Sequence, residues 1–490
     1  MNRAERSILS RRRFLRDAVA TTIAFSGLRL LSGCGGTGSA ADPLAGFSGF
    51  GPLVPDPAGV MDLPEGFSYR LLSQFGDVMD DGFVQPMFSD GMYAFAGPSG
   101  RSVLVRNHEL FSTPVGLGAF GQDNRLLPRA DRSRFYDWGF GTPALGGTTT
   151  LVYDTRAQRV ERQFLSLVGT TRNCAGGPTP WGSWITCEEF VSQNNANLEK
   201  AHGYNFEVPS GATGLVEPVA LVEMGRFNHE AVAIDPGSGA VYQTEDRQDG
   251  LLYRFLPDER TNLAAGGRLQ ALVVRGRPSF DTRNWSEDRI VVGEQVGVEW
   301  VDLDEPESPR DDLRMQGASR GAAIFARGEG MYVGSDGIYF ACTSGGRKKV
   351  DTMDGTGQIW RYVPSRSEGT PQEAGEPGLL ELVFQPDDDT ILDKGDNIVV
   401  APWGDLFICE DGDGDRDSLV VLRPDGTHYR FARNAADQSE FAGATFSPDG
   451  TTLFVNYQWS GKTFAITGPW PLGLGSALSV RNHSMRTISR

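Results

Sequence analysis

The 490-residue chain carries 46 basic and 63 acidic side chains, for a net charge of −17. That acidity excludes a general nucleic-acid binder, which needs a basic surface, and no run of 18 apolar residues offers an ordinary membrane span. With 62 glycines, 28 prolines, 22 % charged and 10 % aromatic residues, the composition is turn-rich but not that of a disordered chain.

The first 33 residues read as a targeting segment and are set apart from the fold. Ser10-Arg11-Arg12-Arg13-Phe14-Leu15-Arg16 has the pattern of a twin-arginine export signal. A weakly apolar run, Ala18 to Leu28, follows. Leu31-Ser32-Gly33-Cys34 is similar to a lipobox, so Cys34 is a candidate lipid anchor. Export by this route uses the twin-arginine machinery and moves proteins already folded, which suits a chain loaded with a cofactor or metal. The expected location is periplasmic or cell-surface. Residues 34–60 read as a Gly/Pro/Ala-rich linker, 61–471 as a single domain, and 472–490 as a polar tail. Besides Cys34, the chain has Cys174, Cys187, Cys342 and Cys409, too few in this length for a disulfide framework.

A strand–turn–strand unit recurs six times between residues 98 and 456. Pro180-Trp181-Gly182 leads through a short apolar strand to Cys187-Glu188-Glu189. Pro402-Trp403-Gly404 leads in the same way to Cys409-Glu410-Asp411. The other copies turn at Pro98-Ser99-Gly100, Asp235 to Gly239, Ser335-Asp336-Gly337 and Pro448-Asp449-Gly450. Glycine takes the positive φ of each turn, and β-branched or aromatic residues form the strand that follows. In the first and last copies the spacing suggests an extra residue, as a bulge would supply. Six such hairpins predict an all-β, six-bladed β-propeller with inserted loops, the largest over 250–336. A sandwich is the alternative. Helices should be few.

Equivalent strand ends in a propeller converge on one mouth. Here they bring Glu109, Glu188, Glu189, Glu245, Asp246, Glu410 and Asp411 together. Packed without partners, these carboxylates would repel, and bound cations are the economical compensation. The acids predict a multi-metal site whose oxygen donors suit Ca²⁺. Cys187 would add a thiolate, which favours a transition metal. The opposing expectation is solvated strand ends paired with arginines. His108 and His229 both stand in Asn-His-Glu, a context that a repeated blade corner also produces. The run Asp411 to Asp417 lacks glycine at position six and glutamate at position twelve, so it is not an EF-hand loop. No serine nucleophile, phosphate loop or His-Glu-x-x-His helix is present.

The ordered set Arg-Asn-His-Glu (106–109), Thr-Cys-Glu-Glu (186–189), Asn-His-Glu (228–230), Thr-Glu-Asp-Arg (244–247), Arg-Gly-Glu (327–329), Asp-Asn (396–397), Cys-Glu-Asp-Gly (409–412) and Phe-Ala-Gly-Ala-Thr-Phe-Ser-Pro-Asp-Gly (441–450) resembles the PhoX family of bacterial alkaline phosphatases. The resemblance spans about residues 60–470. It implies a six-bladed propeller, exported by the twin-arginine route, that hydrolyses phosphomonoesters with calcium and ferric iron. By that resemblance the iron-ligating cysteine maps to Cys187, the phosphate-binding arginine to Arg327 and a metal-binding glutamate to Glu329. Asp396 and Asn397 match the Asp-Asn motif. The metal set expected on both grounds is Cys187, Glu188, Glu230, Glu245, Glu329, Asp396 and Glu410. Where the family usually has proline after the arginine, this chain has Gly328.

The mechanism expected is attack on a small phosphate ester by a metal-activated oxide or hydroxide. Arg327 would clamp the phosphoryl group, and Asn107 or Asn228 would donate hydrogen bonds to it. No nucleic-acid partner is expected, and a monomer suffices. Two other functions remain open at this point. One is another calcium-dependent propeller hydrolase, a lactonase or phosphodiesterase. The other is a non-catalytic surface binding propeller stabilised by calcium.

Overall fold

A computed structural model describes residues 49–191, 197–348, 354–412 and 416–472. The export signal, Cys34 and the tail from 473 lie outside the described residues. The regular structure is antiparallel β-sheet almost throughout, with one short α-helix, Leu313–Ser319, among the described residues.

Six strands pack side by side, each against the next and the last against the first: Ser89–Ala96, Asn173–Pro178, His229–Ile234, Gly328–Val333, Gly395–Val400 and Phe441–Phe446. Sheets run outward from them, giving a propeller-like arrangement. One sheet holds Ser89–Ala96, Arg101–His108, Gly146–Asp154 and Arg159–Thr170. A three-stranded sheet holds Asn173–Pro178, Ser183–Glu188 and Asn205–Pro209. A nine-stranded sheet begins at His229–Ile234 and ends at Gly328–Val333. Its two halves join where Gln295–Asp302 pairs with Leu379–Phe384.

Each hairpin turns where the Pro/Asp/Gly signals place it. Gly182 and Gly404 of the two Pro-Trp-Gly turns take φ of +89° and +103°, a region open to glycine and strained for other residues. Both turns lead into fully buried strands, Ser183–Glu188 and Leu406–Glu410.

The ring is closed by the chain ends. Ser68–Gln74 pairs with Lys462–Thr467 in the sheet of Phe441–Phe446. Arg106, buried in the neighbouring sheet, donates to Ser73 Oγ at 2.9 Å and to Thr149 Oγ1 at 3.0 Å, and also to Thr463. The stretch expected as a linker enters the fold before residue 61. Leu53–Val54 pairs with Met61–Pro64, and the Phe50 ring lies 5.5 Å from that of Trp470 in an aromatic cluster with Phe67, Phe431 and Trp403. Burying rings of that size outweighs the weak local propensity of a Gly/Pro-rich segment.

Glycine sets how closely the inner strands approach. A Cβ on Gly91 would lie 2.6 Å from Ala175 Cα, and one on Gly330 would lie 2.7 Å from Asn397 Cα. Both glycines directly follow acids, Asp90 and Glu329. The contact that excludes any side chain at 91 and 330 therefore holds those acids close to their neighbours.

Candidate metal centre

At one end of all six hairpins the register slips by one residue. Ser89 pairs with His108, but the next pair is Met92 with Arg106. Asn173 pairs with Glu188, then Gly176 with Thr186. The same slip follows His229/Glu245, Gly328/Cys342, Gly395/Glu410 and Ala442/Asn456. The extra residue always lies in the inner strand, whereas the sequence suggested a bulge in only two copies. A bulge re-aims side chains. The first residues of these bulges are Asp90, Cys174, Glu230, Glu329, Asp396 and Gly443.

Two groups of ligand-capable atoms gather there. Cys174 Sγ and carboxylate oxygens of Glu189 and Glu230 lie within 4.8 Å of one another. Oxygens of Glu230, Glu329 and Asp396 do the same. Glu230 belongs to both. Among the expected ligands, Glu230, Glu329 and Asp396 are thus brought together.

Four expected ligands are not. Glu188 accepts from the N–H groups of Thr171, Gly203 and Tyr204 and from His202 Nδ1 at 2.6 Å. Glu245 accepts from Leu251 N and Tyr253 Oη at 3.2 and 2.7 Å. Glu410 accepts from Asp393 N and Ser418 N at 3.0 and 2.9 Å. These three carboxylates anchor loops. In strands side chains alternate, so it is the following residue of the same motif, Glu189, Asp246 or Asp411, that turns toward the other acids. Cys187 lies with Ile185, Met224 and Phe227 in an apolar cluster between sheets. Cys342 and Cys409 are buried in the same way, as expected of small hydrophobes. All four described cysteines are free thiols. The thiol grouped with the acids is Cys174, whose Sγ donates to His229 O at 3.3 Å.

Asn107 is also spent on structure. Its Nδ2 donates to the carbonyls of Cys174 and Ala175, and its Oδ1 accepts from Trp184 Nε1 at 2.9 Å. It holds the bulge rather than facing a ligand. Asn228 is half-buried, with Oδ1 accepting from Arg247 Nη2 at 3.0 Å. Asn397 donates to Asp396 Oδ1 and accepts from Gly443 N, bridging two bulges. His108 and His229 are buried, bonded to Met87 O with Thr149 Oγ1 and to Gly225 O respectively. Burial pushes the His229 pKa down to about 3, so it is neutral.

Arg327 is in the site. Its Nε and Nη2 donate to Asp246 at 2.6 and 3.0 Å, and Nη2 lies 2.8 Å from Glu329 Oε1. A second arginine is clamped between two carboxylates in the same way and was not expected. Arg172 donates through Nε to Glu109 Oε1 at 2.7 Å and pairs with Glu189 Oε2 at 2.5 Å. The signal for it was present: Arg172-Asn173-Cys174 matches Arg327-Gly328-Glu329 in register as well as in its leading arginine. A hydrogen bond between Glu189 and Asp246 joins the two arginine clamps. Gln458 Nε2 donates to Asp90 and Glu109 at 2.8 and 3.1 Å.

The electrostatics show how short of positive charge the cluster is. Burial, then neighbouring carboxylates, push Asp90 and Glu230 well above the usual carboxylate range. Glu189 and Glu329 are also pushed well up by burial, which outweighs the opposing arginines. Burial and then Asp411 bring Asp396 to about 7. For Asp246, burial is outweighed by Arg327 and its pKa is held at about 2. Burial, followed by Glu230 and Glu189, raises the Cys174 thiol. Two arginines do not neutralise this many acids. The donor set fits cations: one group has a thiol and carboxylates, the other only oxygens.

A family model described as Alkaline phosphatase PhoX matches residues 48–133 and 141–461. No curated protein matches the chain. Among solved structures, Pseudomonas fluorescens PhoX in complex with vanadate, a transition state analogue, aligns with a TM-score of 0.61 at 18 % identity, covering 84 % of this chain and 96 % of that one. A gluconolactonase from Xanthomonas campestris aligns with a TM-score of 0.35 at 13 % identity, covering 86 % of this chain and 98 % of that one.

Proposed function

The chain belongs to the alkaline phosphatase PhoX family and is a phosphomonoester hydrolase; from that premise we propose that it works with cations held at the six-hairpin mouth. The observation that carries the proposal is the convergence of Cys174, Glu189, Glu230, Glu329 and Asp396 into two adjoining donor groups. Cys174 with Glu189 and Glu230 would hold a transition metal, for which ferric iron is the candidate. Glu230, Glu329 and Asp396 would hold a hard cation such as Ca²⁺. When bound, such cations supply charge neutralisation for the phosphate oxygens and activation of the attacking water.

The chain's own residues do the rest. Asp246 accepts from Nε and Nη2 along one edge of the Arg327 guanidinium and so fixes its plane. Nη1 is then the donor that meets a phosphoryl oxygen. Arg172, clamped by Glu109 and Glu189, holds the thiol-bearing side of the cluster in place. Asn228, with Oδ1 occupied by Arg247, keeps Nδ2 for the substrate. Positioning and preorganised charge then supply the catalysis, and no protein nucleophile is required.

The nine-stranded sheet is read as two blades joined at their outer strands, giving six blades in all. Support comes from the six inner strands with the same bulge. The Ser10–Arg16 pattern supports twin-arginine export to the periplasm or cell surface, with Cys34 as the candidate lipid anchor. The substrate is a small phosphate ester, and the working form is a monomer. Elemental analysis of natively exported protein, with hydrolysis of p-nitrophenyl phosphate measured before and after chelation, tests the proposal. Metal-free protein with undiminished activity would overturn it.

A further inference from the structure

The mouth is not uniform around its rim. On the side of Asp246 and Arg327, the outer residues are polar: Arg247 pairs with Asp311, and Gln248 donates to Asp354 Oδ1 at 2.9 Å. On the side of Arg172 they are aromatic. Phe111 stands two residues beyond Glu109, and Phe190 directly follows Glu189. Their rings meet edge to face with centroids 5.2 Å apart and planes at 88°. The Arg172 guanidinium lies 5.5 Å from the Phe111 ring centre. Phe111 is 42 % exposed.

This pair is held by the site's own backbone. Arg172 N–H donates to Leu110 O at 2.8 Å, and Glu189 N–H donates to Arg172 O at 3.0 Å. The three segments that carry Glu109, Arg172 and Glu189 are therefore laced together, and the two phenyl rings emerge from that lacing. An exposed phenylalanine costs solvation, and here it stands beside the most charged part of the molecule. A flat apolar group laid on it would recover that cost, while a phosphoryl group attached to the same molecule reached the buried donors.

We infer that Phe111 and Phe190 form the subsite for the organic half of the ester, and that the chain is selective for monoesters of aromatic alcohols. The inference rests on the phosphatase reading of the same mouth. Phe111 is a specificity-determining residue in this scheme. Arg172 is a positioning residue that sets the height of the ring above the acids.

The test compares kcat/KM for 1-naphthyl phosphate with that for glycerol 2-phosphate, in the metal-loaded wild type and in Phe111→Ala. Taking the ratio for each enzyme removes the intrinsic reactivity of the two leaving groups. The ratio should fall about tenfold in Phe111→Ala, the size of effect an aromatic contact supplies, and return in Phe111→Tyr. Calorimetric binding of 1-naphthylphosphonate should weaken to the same extent in Phe111→Ala, with methylphosphonate as the small control. An unchanged ratio, or a loss that Phe111→Tyr fails to restore, overturns the subsite. If the wild type hydrolyses neither ester, it is the phosphatase reading that fails. Naphthylphosphonate binding then still decides the rim: weakening in Phe111→Ala supports it, and no binding by the wild type ends it.

Discussion

Arg172 and Arg327 occupy the same position in different hairpins: each stands two residues before the first residue of a bulge, Cys174 or Glu329, and each has a left-handed backbone, φ +44° and +54°. Each also lies between two carboxylates from different strand ends, Glu109 with Glu189 and Asp246 with Glu329. Phe88 and Lys394 repeat the backbone conformation before Asp90 and Asp396, at φ +51° and +57°. A non-glycine residue in this region costs on the order of 1–3 kcal/mol. The strain recurs where the chain must turn into a bulge, so it belongs to the way the repeat builds its mouth.

Equal position does not mean equal function, and substitution separates the two arginines. Arg327→Ala should raise KM and lower kcat for p-nitrophenyl phosphate, a combined loss in kcat/KM of about 100-fold or more for one lost oxyanion donor. Arg172→Ala leaves Glu109 and Glu189 with an uncompensated charge in a nearly closed site. It should destabilise the fold by about 3 kcal/mol, as removal of one partner of a buried pair does. Denaturant unfolding of both variants beside steady-state kinetics checks the split. Unchanged kinetics in Arg327→Ala would refute its phosphate role.

The two cysteines predict opposite results. Cys174→Ser should lose transition metal, read by elemental analysis and by loss of thiolate-to-metal absorbance, while the protein still folds. Cys187→Ser places a hydroxyl among Ile185, Met224 and Phe227. It should keep its metal and lose roughly 1–3 kcal/mol of stability. Metal loss from Cys187→Ser with retention in Cys174→Ser would reverse the assignment.

These two cysteines also show how far the sequence could be read. The hairpins were legible because Pro, Asp and Gly announce turns and β-branched residues announce strands. Their convergence was legible because acids recur at one offset. Which acid of each pair faces inward was not. Glu188 and Glu189 are adjacent, and a bulge or a one-residue change of register exchanges their faces. That is why Glu188, Glu245 and Glu410 were expected at the metal and are found bonded to loop N–H groups. Cys174 was missed for a related reason: it sits in the inner strand of its hairpin, while the repeat was read from the outer strand ends. Glu230, Glu329 and Asp396 were reached through motifs, and they are the bulge residues of their own hairpins.

Metal removal should cost stability as well as activity. With cations absent, Asp90, Glu189, Glu230 and Glu329 are raised well above the carboxylate range by burial and next, for Asp90, by the charge of Glu109 and, for Glu230, by that of Glu329. A cation that binds only the folded chain stabilises it by about 2.7 kcal/mol when free metal is 100 times Kd. Chelation should therefore lower the thermal midpoint, and the displaced cations should restore it in proportion to the logarithm of their concentration. A midpoint indifferent to chelator would contradict the cluster.

A buried histidine outside the cluster gives the fold its own pH dependence. His202 is fully buried between Glu188 Oε1, 2.6 Å from Nδ1, and Asp137 Oδ2, 3.1 Å from Nε2. Burial opposes its charge, but Glu188 and Asp137 outweigh burial and raise its pKa to about 9. The unfolded chain has the ordinary value of about 6.5. The pair's contribution is thus fully present below pH 6.5 and is lost as pH rises through 9, at most about 3 kcal/mol. Asp137 also accepts from the N–H groups of Gly139, Glu199 and Lys200, so the loop beside the three-stranded sheet should loosen first. Urea midpoints of the wild type and His202→Gln, taken at pH 6, 7.5 and 9.5, measure the effect. The stability advantage of the wild type should shrink steadily across that series, and a constant difference would assign the pH dependence to other groups.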